Sequence, residues 1–119
     1  TLRHLNHVGK KVVVWEPVPG AKASVPQALA MAALDGQPPP ALEWTRTEYL
    51  QRYRFFFEAL DVHSQFISAR ISPSDAICAT GACEVQRNGR PLYSDNSHVA
   101  ASSREIWQAA LGRVNIDSR

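Results

Sequence analysis

The sequence has no apolar run long enough to form a membrane-spanning helix. Such a helix needs about 20 consecutive, predominantly apolar residues, and no stretch of the 119 residues approaches that length. The N-terminal segment TLRHLNHVGK also lacks the apolar core of a signal peptide. The sequence therefore predicts a chain that folds in water rather than in the bilayer.

Concentrated positive charge is missing as well. The 13 Lys and Arg against 11 Asp and Glu give a formal net charge of +2 at pH 7. The basic residues are dispersed, without the basic runs and interleaved aromatic residues typical of nucleic-acid binding. We therefore expect no nucleic-acid partner. A hydrophobic content of 45% is enough for the core of one domain. The first residue is Thr1 rather than Met, which indicates a fragment of a longer protein.

Cysteine is scarce, with only Cys78 and Cys83 in the segment ICATGACEV. The glycine between them allows the chain to turn, so a disulfide is sterically plausible. Two reduced thiols are the alternative, and the spacing does not separate the two possibilities. A structural zinc site is disfavoured because it needs four ligands, and no second Cys/His pair has zinc-finger spacing.

Helical and extended patterns alternate along the chain, which predicts an α/β fold. The expected elements are a helix from Leu2 to Val8, a strand over Val12–Trp15, a helix from Pro26, a helix over 46–61, a strand from Phe66 or Ile67 to Ile71, a short helix from Pro73, a hairpin turning at Asn88–Gly89 and a final helix containing Trp107. The first strand is continuously apolar, as in a parallel strand buried on both faces.

The clearest helix start is the segment TRTE. Thr45 can cap the helix while Glu48, three residues later, bonds back to the cap as in a capping box. The broad apolar stripe that follows predicts one uninterrupted helix packed on the core.

Asp95 and His98 are the strongest candidates for catalytic chemistry. They lie three residues apart in the polar segment SDNSHV. At this spacing the carboxylate can accept a hydrogen bond from the imidazole Nδ1–H, which leaves Nε2 as a general base. A solvated loop without catalytic function is the simpler alternative. A metal site would also need Asn96 and a further ligand, such as His4 or His63.

The order of these motifs resembles the last half of the SGNH (GDSL-like) hydrolase superfamily. The similarity rests on VVVWEPVP, on the two cysteines, on NGRPLY and on DNSHV, and covers about residues 6 to 111. It is greatest to the SGNH domain fused to acyltransferase-3 membrane proteins, which O-acetylate cell-surface polysaccharides.

The resemblance implies that residues 1–119 are the C-terminal part of a single SGNH domain, with a three-layer, flavodoxin-like fold and a parallel sheet. Asp95 would orient His98, the catalytic base, and Cys78 would be bonded to Cys83. The implied partners are an acetyl donor, a carbohydrate acceptor and an upstream membrane acyltransferase domain, with no cofactor. The implied location is the periplasmic or extracytoplasmic face of a bacterial membrane.

Two features depart from the family pattern. Val99 and Ala100 follow the histidine where the family usually has Leu-Ser, so we expect Ser102 or Ser103 to provide the helix cap. The Gly-Asp-Ser block with the nucleophilic serine is not in this sequence, so we expect the chain alone to be inactive. An SGNH esterase and a non-catalytic remnant or binding module are therefore alternatives to the transferase.

Overall fold

A computed structural model describes residues 1–112. The α-helices are α1 (Leu2–His7), α2 (Val25–Leu34), α3 (Arg46–Arg52), α4 (Arg54–Val62), α5 (Pro73–Ile77) and α6 (Arg104–Gly112). The strands are β1 (Val13–Trp15), β2 (Ala69–Ile71), β3 (Gln86–Arg87) and β4 (Arg90–Pro91), and Ser64–Phe66 and Ala101–Ser103 form 3₁₀ turns. In the part of the chain described, no helix is both long and apolar enough to cross a membrane.

β1 and β2 form a parallel pair, with Val13 opposite Ala69 and Trp15 opposite Ile71. The helices α2, α3 and α4 lie between the two strands in the chain, so the unit is a β-helix-β crossover. This arrangement confirms the predicted α/β class and the parallel sheet.

The prediction that β1 is buried on both faces was wrong. The Trp15 side chain is 42% exposed, and Val13 and Val14 are half-buried. Within residues 1–112, β2 is the one strand that pairs with β1. Burial of both faces of a strand requires elements packed above and below the sheet, and in residues 1–112 the packing leaves Trp15 exposed. The second strand also starts later than expected, because Phe66 belongs to a 3₁₀ turn.

The helix predicted over 46–61 is interrupted at Tyr53, which has φ −105° and ψ 19°. The capping box is present, since the Glu48 N–H donates to Thr45 Oγ1 and the Thr45 N–H donates to Glu48 Oε2. The interruption leaves the rings of Tyr53 and Phe57 against Tyr49, with centroid distances of 5.5 and 5.6 Å. Tertiary packing thus overrides a continuous helical pattern.

The hairpin formed by β3 and β4 confirms the predicted turn. Asn88 and Gly89 have φ of 53° and 75°, which suits a tight two-residue turn between antiparallel strands. The hairpin ends immediately before the segment that contains Asp95 and His98.

On the other side of that segment, α6 is fixed by Trp107. The indole is buried and packs against Tyr93, with ring centroids 6.3 Å apart. Its Nε1–H donates to Ser103 Oγ, and the Ser103 hydroxyl bonds to the carbonyl oxygens of Leu92 and Ala100. Ser102 or Ser103 was expected to cap the helix; Ser103 directly precedes α6, and its hydroxyl links the residue after β4, Ala100 and Trp107 of α6. The chain is therefore held on both sides of residues 94–98.

Candidate active site

Asp95 and His98 are in direct contact. Asp95 Oδ2 lies 2.7 Å from His98 Nδ1, so the two side chains meet as the spacing predicted. The other oxygen, Oδ1, accepts hydrogen bonds from the backbone N–H groups of Ser97 and His98, at 2.7 and 2.8 Å. The carboxylate is therefore fixed by the backbone that follows it and presents its free oxygen to the imidazole.

These hydrogen bonds hold Asp95 in its ionised form. The pKa of Asp95 is far below its usual range because of the hydrogen bonds from the backbone N–H of His98 and of Ser97, and then from the His98 side chain. An ionised carboxylate accepts the Nδ1–H and fixes the imidazole in the tautomer with Nε2 unprotonated. Asp95 thus has the properties required of an orienting carboxylate.

The loop containing this pair is docked on the segment that follows β1. The carbonyl oxygen of Asn96 accepts from the N–H of Ala21 at 2.8 Å, and that of Asp95 accepts from Val25 at 3.2 Å. The N–H of Gly20 donates to the buried hydroxyl of Tyr93 at 3.1 Å. Ligand sites of α/β folds form beyond the carboxyl ends of parallel strands, and the segment after β1 is at that edge.

Gly20 permits the close approach of these two segments. It has φ +73°, and a Cβ at this position would lie 2.8 Å from the backbone oxygen of Asn96. An L-residue side chain would meet both a strained backbone conformation and a steric overlap. The sequence patterns did not single out Gly20. The available signal was its position directly after Pro19, in the segment Pro17-Val18-Pro19-Gly20 that follows β1.

The imidazole of His98 is open to solvent. Its side chain is 79% exposed, against 44% for Asp95. Among residues 1–112, no hydrogen-bond partner is found for Nε2, so this atom can take a proton from a reacting group. Catalysis by the pair would require a nucleophile on the exposed side of the ring.

The other histidines lie elsewhere and do not complete a metal site. His4 is in α1, and His63 follows α4 and packs near Phe66, with ring centroids 6.4 Å apart. In the described part of the chain, no three His, Cys, Asp or Glu side chains are grouped as metal ligands. The proposed set of Asp95, Asn96 and His98 with one of these histidines is therefore not assembled in this structure.

Cys78 and Cys83 form a disulfide, which confirms the pairing implied by the family resemblance. Both residues are buried. The N–H of Cys83 donates to the carbonyl oxygen of Trp44 at 2.8 Å, so the disulfide segment fixes the residue before the Thr45 cap. The bond therefore stabilises the start of α3, beside the segment on which the site loop is docked.

Comparison of the chain with models of protein families gives a match. The model described as "SGNH domain (fused to AT3 domains)" matches residues 1–110. Neither the curated proteins nor the solved structures give a match. The family match covers nearly the whole chain and confirms the resemblance seen in the motifs. This chain belongs to the family of SGNH domains that are fused to AT3 domains.

Proposed function

We propose that the chain is the C-terminal part of an SGNH-type O-acyltransferase domain that transfers acetyl groups to cell-surface polysaccharide. Asp95 and His98 act as two members of a Ser-His-Asp triad. The observation that supports this role is the 2.7 Å contact between Asp95 Oδ2 and His98 Nδ1, together with the two backbone N–H groups that hold Oδ1. For the complete domain we propose the three-layer, flavodoxin-like arrangement of the superfamily.

The first half-reaction forms an acetyl-enzyme. The nucleophile is a serine in a Gly-Asp-Ser block of the same protein, outside residues 1–119. Its Oγ attacks the acetyl carbonyl of the donor while His98 Nε2 takes the hydroxyl proton. The bond between the acetyl group and the donor then breaks, and the leaving group takes the proton from His98.

The second half-reaction transfers the acetyl group to the acceptor. A carbohydrate hydroxyl attacks the acetyl-serine ester, and His98 accepts the hydroxyl proton. A new ester bond forms on the sugar, the serine leaves and recovers a proton from His98. Asp95 stays ionised throughout, keeps the Nδ1–H in place and stabilises the transient imidazolium.

The partners and the location follow from the same proposal. The AT3 domain would deliver the acetyl donor from the membrane, and the SGNH domain would meet the polysaccharide on the periplasmic or extracytoplasmic face. The disulfide between Cys78 and Cys83 supports such a compartment, because disulfides persist in oxidising environments.

An esterase of the same family is the second candidate. The observation that favours it is the 79% exposure of the His98 side chain, since water can then reach Nε2 as readily as a sugar hydroxyl. Transfer and hydrolysis share the acetyl-enzyme and differ in the acceptor. They are separated by the product, an acetylated oligosaccharide or free acetate.

The test uses the protein extended upstream to include its Gly-Asp-Ser block. Hydrolysis of p-nitrophenyl acetate reports the acetyl-enzyme, and mass spectrometry of an added oligosaccharide reports transfer. We expect Asp95→Asn to lower kcat by roughly 10⁴-fold and His98→Ala to lower it by up to roughly 10⁶-fold. His7→Ala changes another exposed histidine and should leave the rate unchanged.

The chain of residues 1–119 provides the second arm of this test. It should show no more hydrolysis than its own His98→Ala variant, because it has no nucleophile. Turnover above that background would place a nucleophile within residues 1–119 and contradict the proposal. An extended protein whose activity survives both His98→Ala and Asp95→Asn would indicate a non-catalytic role for the pair.

A further inference from the structure

Two cationic side chains share the ring of Trp44. The guanidinium carbon of Arg52 lies 4.3 Å from the ring centroid, and Lys22 Nζ lies 5.3 Å from it. Both distances are within the range of cation-π attraction. The main chain of Trp44 is held by the hydrogen bond from the Cys83 N–H to the Trp44 carbonyl oxygen. The indole ring thus has two positive charges within 5.3 Å of its centroid.

Neither cation forms an ion pair with a carboxylate in the described residues. Within residues 1–112, no acidic oxygen lies within 4.0 Å of Lys22 or Arg52, whereas four other arginines form ion pairs: Arg46, Arg54, Arg70 and Arg87. The charge of Lys22 contributes to lowering the pKa of Glu48, after the larger effect of the hydrogen bonds with Thr45. The Glu48 carboxylate accepts the Thr45 N–H. Both cations are exposed to solvent. The pair therefore has donors and charge available for an external anion.

This cationic pair is continuous with the loop that carries His98. Lys22 follows Ala21, whose N–H donates to the carbonyl oxygen of Asn96 at 2.8 Å. Arg52 Nη1 reaches the carbonyl oxygen of Pro19 at 3.5 Å, on the same segment. A ligand group bound by the two cations would lie along the segment on which the catalytic loop is docked.

We propose that Lys22 and Arg52, supported by Trp44, form a subsite for the anionic substituent of an acidic saccharide acceptor. This inference rests on the proposed function and specifies its acceptor as a sugar that bears a carboxylate or a phosphate. The planar fork of Arg52 suits either group, and Lys22 adds a second point charge. Trp44 is a positioning residue in this subsite. The charge contact would hold the acceptor on the segment that contacts the loop of His98, without taking part in proton transfer.

Binding is tested by calorimetry on the extended protein, without an acetyl donor. Tetragalacturonate is compared with its fully methyl-esterified form, which has the same backbone and no carboxylates. Mannose 6-phosphate compared with mannose tests phosphate recognition. We expect the charged member of at least one pair to bind more tightly than its neutral counterpart, with an affinity that weakens as salt concentration rises. The pair that shows this difference identifies the anion.

Variants then locate the binding. Lys22→Gln and Arg52→Gln should each lower the affinity for the charged ligand by up to roughly fivefold, since exposed ion pairs contribute at most about 1 kcal/mol. Lys22→Arg should restore binding. Lys10→Gln and Arg90→Gln remove the same charges at other exposed positions and should change affinity little.

Several outcomes overturn the subsite. The first is that charged and neutral ligands bind equally tightly. The second is that neither charged ligand binds. The third is that the Lys22→Gln/Arg52→Gln double variant binds the charged ligand as tightly as the parent protein. Because binding is measured without turnover, it is independent of the triad. A protein that binds through Lys22 and Arg52 but shows no His98-dependent transfer would refute the proposed function alone. His98-dependent transfer without charge-selective binding would refute the subsite alone.

Discussion

Gly20 and Asn96 are so closely packed that a Cβ added to the glycine would lie 2.8 Å from the Asn96 carbonyl oxygen. Next to this contact, the Ala21 N–H donates to the same oxygen. The segment after β1 and the loop with Asp95 and His98 therefore fit together through their backbones, and the position of His98 depends on that fit.

The first prediction concerns Gly20→Ala. The substitution should cost about 1–2 kcal/mol for the positive φ and about 1–3 kcal/mol more for the overlap with Asn96. It should also lower acetyl transfer, because the loop must shift. Gly36→Ala is the matched control, since Gly36 has φ +64° with nothing within 4 Å of its added Cβ. Urea unfolding and transfer rates measure both effects. Equal losses in the two variants would contradict the role of the Gly20 contact.

The second prediction concerns the buried hydroxyl of Tyr93. Tyr93→Phe removes the acceptor of the Gly20 N–H, and a buried donor without a partner costs about 1–3 kcal/mol. The free energy of unfolding should fall by this amount. In the extended protein, kcat should fall as well. Tyr53→Phe is the control, because no hydrogen bond of the Tyr53 hydroxyl is found among residues 1–112. If Tyr93→Phe leaves both the free energy of unfolding and kcat unchanged, this hydrogen bond does not hold the loop.

The third prediction is an unusually acidic Asp95. The hydrogen bonds from the His98 and Ser97 N–H groups lower its pKa in the folded state. Its contribution to stability is therefore fully present above the unfolded-state value of about 3.9 and is lost as pH falls through the lower, folded-state value. Carboxyl ¹³C NMR should show that Asp95 titrates with a midpoint far lower in the folded protein than in the urea-unfolded chain. Equal titration midpoints of Asp95 in the folded and unfolded states would contradict this prediction.

The fourth prediction concerns the disulfide between Cys78 and Cys83. Replacing both cysteines with serine should lower stability by about 2 kcal/mol through the entropy of the unfolded chain, which corresponds to a Tm lower by roughly 8 °C for a domain of this size. Thermal unfolding of the double variant is compared with that of the parent protein, with and without a reductant. If the double variant melts at the temperature of the oxidised parent, the bond does not contribute to stability.

Local features of this protein were predictable from sequence. The contact between Asp95 and His98, the capping box of Thr45 and the turn at Asn88–Gly89 each involve residues at most three positions apart. Their geometry follows from backbone conformations that the residue types favour. The family resemblance added the pairing of the two cysteines, which spacing alone left open.

The tertiary features were not predictable in the same way. Gly20 and Tyr93 are 73 positions apart, and nothing in either local pattern indicates that they bond. The interruption at Tyr53 arises because the rings of Tyr53 and Phe57 both pack on Tyr49, whereas periodicity describes one straight helix. The exposure of Trp15 depends on which elements pack over its face of the sheet, which the apolar sequence of β1 does not specify.

The anchoring of the loop with Asp95 and His98 through main-chain atoms has an evolutionary consequence. Ala21 and Val25 bond to the carbonyl oxygens of Asn96 and Asp95, and every residue type at position 96 supplies the same oxygen. The side chain of Asn96 is exposed and is not needed for this attachment. Selection can therefore vary position 96 while the neighbouring His98 keeps its place.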